Sequence, residues 1–163
     1  MSLNEGAAPA LAPEVAGLAF LLGTWVGEGA GEYPTISPFT YSEEVAFGHV
    51  GRPFLTYVQR TVRHDVGLPA HGESGYLRPA PGGRVELMLG HTFGLVELAE
   101  GTIDGTRVEL TSSIVGRSAT AKSVTAIERS IEVDGDVLRY ALRMAAVGQP
   151  LQHHLRAELH RIR

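Results

Sequence analysis

Pro150-Leu151-Gln152-His153-His154-Leu155-Arg156-Ala157-Glu158-Leu159-His160-Arg161-Ile162-Arg163 admits two readings, and the choice between them decides the fold. Leu151, Leu155, Leu159 and Ile162 recur at helical spacing, whereas Leu151, Leu155, Ala157 and Leu159 share one face of a strand. As a strand, the stretch puts His153 on the apolar face. Strict alternation turns His154 the other way, with Gln152, Arg156 and Glu158, unless a bulge interrupts the pattern. The stretch holds three of the chain's seven histidines, and the chain has no cysteine. Thiolate metal sites are therefore excluded, and imidazole is the best remaining ligand for iron, zinc or copper. Which imidazole faces a cavity becomes the central question.

The chain upstream favours the strand. Phe39–Val50, Pro53–His64, Glu73–Pro79, Arg84–Gly90, Leu95–Glu100, Arg107–Ile114, Ala119–Ile131 and Val137–Met144 all read as strands. Breakers separate them at hairpin spacing: Gly51-Arg52-Pro53, Pro81-Gly82-Gly83, Asp104-Gly105 and Asp134-Gly135-Asp136. The two Asp-Gly pairs carry a physical reason, since Gly accepts the positive φ of a tight turn. Glu32–Phe39, with two prolines, reads as a turn-rich connector. Ahead of it, Gly23-Thr24-Trp25-Val26-Gly27-Glu28-Gly29-Ala30-Gly31 alternates glycine with larger residues. That suits a bent first strand whose one face stays small, approached by backbone or a flat ligand, with Trp25 plugging the barrel bottom. Val15–Leu22 fits one or two helical turns, with Leu18, Leu21 and Leu22 inward. No helix of useful length is needed after residue 22. Nine or ten short strands joined by hairpins predict an all-β fold, an up-and-down antiparallel barrel of fatty-acid-binding or lipocalin type, with a double-sheet sandwich as the alternative.

At 163 residues the chain makes one domain with a real core, expected over residues 14–163, with residues 1–13 as a flexible Ala/Pro-rich arm. A formal charge of −4 and the absence of any Lys/Arg run argue against a nucleic-acid partner. Leu18–Leu22 is too short to span a bilayer, and no basic region precedes it as in a signal peptide. With no disulfide framework, a cytoplasmic protein without a membrane partner is expected.

Several chemistries are missing. No Gly-x-Ser-x-Gly elbow, His-Glu-x-x-His pair or phosphate-loop Gly-Lys-Ser/Thr is present. Glu43 and Glu44 are adjacent on a strand, so they face opposite ways and cannot form a glycosidase pair; they read as a partly buried charge beside a solvated one. Taken singly, His49, His64, His71, His91 and His160 read as structural or surface residues. His71 and His91 lie near strand ends where a barrel mouth would open, and are candidates for lining a pocket.

Gly23-Thr24-Trp25-Val26-Gly27-Glu28-Gly29 resembles the Gly-x-Trp-x-Gly-x-Gly signature of the nitrobindin family, carried by Gly23, Trp25, Gly27 and Gly29. The resemblance continues through Gly31–Ile36, Tyr41–Glu44, His49–Phe54, Glu73–Arg78, Ala119–Lys122 and Met144–Leu151, and so covers residues 15–163. It implies a ten-stranded barrel with one haem b at its mouth, isomerising peroxynitrite to nitrate and binding nitric oxide. The axial iron ligand of the family's Pro-Leu-x-x-His-Leu block maps to His154. The family's further haem contacts map to Thr35 and Lys122. A monomer or weak homodimer with only small-molecule partners is expected. The alternative is a carrier of an apolar ligand, but carriers of that type place a two-helix lid between their first two strands. Ala30–Ser37 leaves no room for one.

Overall fold

The tail is a strand. In the computed structural model, which describes residues 7–163, ten antiparallel strands close into a single barrel, each hydrogen-bonded to two neighbours. In order they are β1 (Gly23–Tyr33), β2 (Ile36–His49), β3 (Leu55–Arg63), β4 (Pro69–Ala80), β5 (Arg84–His91), β6 (Leu95–Asp104), β7 (Arg107–Arg117), β8 (Val124–Asp134), β9 (Val137–Ala146) and β10 (Gln152–Arg161). β10 pairs with β9 on one side and β1 on the other, so it is the strand that closes the ring. Its lower half obeys period two: Ala157 and Leu159 are buried, while Arg156, Glu158 and His160 are exposed. A closed ring leaves no sheet edge to pair with another chain, which rules out the sandwich.

One end is plugged. A 3₁₀ helix, Pro13–Leu21, buries Val15, Leu18 and Leu21 completely. Their spacing of three is the repeat of a 3₁₀ helix, which is why Val15 takes the inward place expected of Leu22. Trp25 is fully buried beneath it and donates from Nε1 to the Leu21 carbonyl at 2.8 Å. Arg161 of β10 lies 4.1 Å over the Trp25 ring and donates to the carbonyls of Phe20 and Leu22. The helix's unpaired terminal carbonyls are thus satisfied by two side chains of the closing strands. Leu11 and Ala12 also pack on this core; residues 1–6 of the expected arm lie outside the described residues.

The glycines of β1 make the seam. A Cβ on Gly27 would lie 2.1 Å from the Glu158 carbonyl oxygen, and one on Gly29 would overlap the Tyr41 ring. The small face is therefore filled by β10 backbone and by an aromatic side chain.

Several strands run longer than expected, β4 from Pro69, β6 to Asp104 and β7 to Arg117, and two connections differ in kind. The supposed connector at Glu32–Phe39 is mostly strand: β1 runs to Tyr33 and β2 starts at Ile36, so Pro34 and Thr35 alone form the turn. An irregularity between Gly31 and Tyr33 in the β1–β2 register absorbs Pro38, which cannot donate to a ladder. The lid of the carrier alternative has no place in so short a turn. At the other connection, residues 118–123 form a loop, and β8 begins only at Val124. β7 pairs with β8 only from Arg107 to Thr111, so the two strands part towards the open end, where this loop lies. Gly105 and Gly135 turn the two Asp-Gly hairpins at φ 59° and 58°, as anticipated.

Candidate functional site

The open end leads into a cavity of about 550 Å³. Of the chain's histidines only His71, His91 and His154 line it among the described residues. His64 is held outside by the hydroxyls of Thr40 and Ser42, each at 2.8 Å, and His153 is exposed in an outer groove with Arg156 and Asp65.

His154 is inward because β10 is bulged. In the β9 register Gln152 faces Met144, His153 faces Arg143, and Leu155 faces Leu142, so His154 has no partner. One extra residue shifts the phase of alternation, so His154 joins Leu155 on the cavity wall while His153 stays outside. Strict alternation had assigned His153 to the apolar face and His154 to the polar one; the bulge inverts both.

The imidazole is fixed in a defined tautomer. His154 Nδ1 is 3.0 Å from the Glu32 carbonyl oxygen, which can only accept, so the ring proton sits on Nδ1. Burial holds the ring's pKa below the ordinary histidine value, outweighing that hydrogen bond. The neutral ring therefore keeps an unprotonated Nε2, to which no group among the described residues donates. Tyr33 stands edge-on at 5.3 Å between ring centroids, with Phe39 at 6.4 Å. Tyr33 is itself fixed, donating to the Met144 carbonyl at 3.0 Å and accepting from the Ala146 amide at 2.9 Å.

Thr35, from the β1–β2 turn, and Lys122, from the β7–β8 loop, line the same cavity as His154. Lys122 makes no ion pair among the described residues. The wall near them is apolar, with Phe39, Phe93, Leu95, Ile127, Leu142 and Met144. Val147, also on the wall, sits at φ 46°, a costly conformation for a β-branched residue and one held by the turn into β10. Gly23, Trp25, Gly27 and Gly29 do not line the cavity. Their place is the seam and the plug.

The inner wall carries a polar network that sequence reading missed. Arg129 bridges Glu73 and Glu97, donating at 2.8 Å to each. Burial alone would raise both carboxyls, but the guanidinium outweighs it and holds them below the usual carboxylate range. Tyr57 donates to Glu73 Oε1 at 2.7 Å. Beside this network Glu43 accepts from Tyr140 at 3.0 Å and from Gln59 at 2.5 Å. Glu43 is buried and Glu44 pairs with Arg60 at the surface, as the opposed-face reading required. Desolvation pushes the Glu43 carboxyl up to about 7 despite these donors. A signal for the network was available, because Arg129 lies in phase with the inward Ile127 and Ile131.

The site's donor set fits a haem on chemical grounds: one neutral imidazole with a free Nε2, an apolar wall, and a free cationic side chain at the rim. Comparison with known proteins agrees. A Nocardia farcinica protein named peroxynitrite isomerase is 55% identical over 156 residues, covering 93% of each chain. Mycobacterium tuberculosis H37Rv peroxynitrite isomerase 1 is 53% identical over 160 residues, covering 94% of this chain and 98% of that one. The crystal structure of Rv2717c from M. tuberculosis superposes with a TM-score of 0.88 at 53% identity, covering 94% of this chain and 100% of that one. The profile of the THAP4-like, haem-binding β-barrel domain matches residues 14–161, and the chain belongs to that family, the nitrobindins.

Proposed function

We propose that the protein is a haem b protein that isomerises peroxynitrite to nitrate and binds nitric oxide, and that His154 Nε2 would hold the iron. The observation that carries this reading is the β10 bulge, which turns His154 into the cavity with Nδ1 committed to the Glu32 carbonyl. Relatives more than half identical over nearly the whole chain bear the name peroxynitrite isomerase. Peroxynitrite and nitrate contain the same atoms and carry the same charge, so the rearrangement consumes no proton, electron or co-reactant. When bound, haem supplies a ferric centre that promotes O–O cleavage and N–O bond formation within one molecule.

The chain's share of the work is to hold and to exclude. The Nδ1 hydrogen bond orients the His154 ring and raises the basicity of Nε2. Lys122 would pair with a propionate and Thr35 would contact the macrocycle edge. The apolar side chains on the wall would limit water around the bound substrate. No helix among the described residues is long and apolar enough to cross a membrane. The role we assign is cytoplasmic scavenging by a monomer or weak homodimer.

Haem reconstitution followed by stopped-flow mixing tests the activity. The loaded protein is expected to speed peroxynitrite decay and raise nitrate yield over the haem-free protein. Equal decay in the two would refute it. Nitric oxide binding is read separately, as a shift of the Soret band on anaerobic addition of the gas.

A further inference from the structure

On the cavity wall built from β4 and β5, three ligand atoms converge. Glu73 of β4 lies directly opposite His91 of β5 in the ladder, and His71 precedes Glu73 by two residues, on the same face. His71 Nε2 is 3.1 Å from Glu73 Oε2, and His91 Nδ1 is 3.2 Å from that oxygen. The two ring nitrogens are 3.2 Å apart. The three atoms therefore form a nearly equilateral triangle. An ion bonded at about 2.0–2.1 Å places neighbouring ligands about 2.9–3.4 Å apart in octahedral or tetrahedral geometry, which brackets these separations.

The surroundings suit a cation. His91 Nε2 is 2.9 Å from Glu97 Oε1, and an ionised carboxylate only accepts, so Nε2 is the ring's donor towards Glu97. That leaves His91 Nδ1 as a lone pair within the triangle, in the carboxylate–histidine–metal arrangement that orients metal-binding imidazoles. Tyr57 and Arg129 hold Glu73 through Oε1, at 2.7 and 2.8 Å, and Arg129 Nη2 also donates to Oε2 at 3.1 Å, which leaves that oxygen a second lone pair for an ion. Two carboxylates, Glu73 and Glu97, face one guanidinium among the described residues, so the second carboxylate must be balanced by the imidazoles or by a bound cation. In the same cavity Glu43 Oε1 and Gln59 Oε1 are buried acceptors without a donor among the described residues. His71, with a quarter of its side chain exposed, gives the site an approach from the cavity.

We propose that His71 Nε2, Glu73 Oε2 and His91 Nδ1 form a second metal site for a divalent transition-metal ion of the zinc type. Its remaining coordination positions open into the cavity. It is distinct from the haem site, since it uses none of His154, Thr35 or Lys122.

Equilibrium dialysis of the haem-loaded protein against zinc, with metal counted per chain by mass spectrometry, tests this. The wild type is expected to hold one zinc, and His71→Ala and His91→Ala each to lose at least about tenfold in affinity. His154→Ala, which targets the haem reading, is expected to lose the Soret band and keep the zinc. His91→Ala is expected to do the opposite. His153→Ala and His160→Ala, on the exposed outer surface, are expected to leave zinc unchanged. Far-UV circular dichroism checks folding, and His71, more exposed than His91, supplies the milder variant. Zinc retained equally by His71→Ala and His91→Ala, or no zinc on the wild type, would overturn the site.

Discussion

Buried charge at single residues gives the sharpest stability predictions. The Glu43 carboxyl, raised by burial to about 7, holds its proton more tightly in the folded chain than in the unfolded one. The stability it lends is full below the ordinary carboxylate pKa and lost as pH climbs through about 7, a loss of roughly 3 kcal/mol at most. Glu43→Gln keeps the shape without the charge. Urea midpoints are expected to fall between about pH 5 and about pH 8 for the wild type and to stay flatter for Glu43→Gln. A parallel fall in both would contradict the assignment. Arg129 has the opposite role, as the one guanidinium among the described residues set against the buried Glu73 and Glu97. Arg129→Ala strands both charges and is expected to cost roughly 3–5 kcal/mol, whereas removing the exposed Arg139–Glu158 pair costs less than about 1 kcal/mol. Denaturant titration of the two variants checks that contrast.

Among the elements, β10 shows what was legible in the sequence and what was not. The hairpins at Asp104-Gly105 and Asp134-Gly135 and the plug at Trp25 follow from local patterns, because alternation and turn chemistry act over a few residues, whereas the tail's own spacing fits helix and strand alike and the strands upstream decide it. The inward turn of His154 does not follow, because a bulge is a mismatch between two strands and leaves no mark in either alone. Only the family block selected His154 over His153. Likewise Arg129 meets Glu97 and Glu73 across 32 and 56 residues, contacts that exist only once the ring has closed. If the bulge aims the ligand, deleting His153 restores strict pairing and moves His154 to the outward place opposite Arg143. That variant is expected to keep its β-sheet circular dichroism and lose haem absorbance. Retained haem would show that the bulge is not what aims the imidazole.

Across the whole molecule, closure and plugging at one end make the other end available for a ligand. The seam depends on β1 and β10 approaching closely at Gly27, where a Cβ would meet backbone that cannot move without opening the ladder. Gly27→Ala is expected to cost about 3 kcal/mol or more and to lower the thermal midpoint, although the residue lies outside the cavity. A neutral outcome in a melting experiment would mean that the seam is looser than described. The open end in turn gathers His154, Thr35 and Lys122 from three separated segments onto one cavity. This mouth is predicted to hold haem through His154. The most direct measurement is the Soret spectrum of wild type, His154→Ala and His153→Ala after haem reconstitution and gel filtration. Wild type and His153→Ala are predicted to carry one haem per chain, and His154→Ala none; a full Soret band on His154→Ala, or its loss in His153→Ala alone, would contradict His154 as the residue that holds the iron.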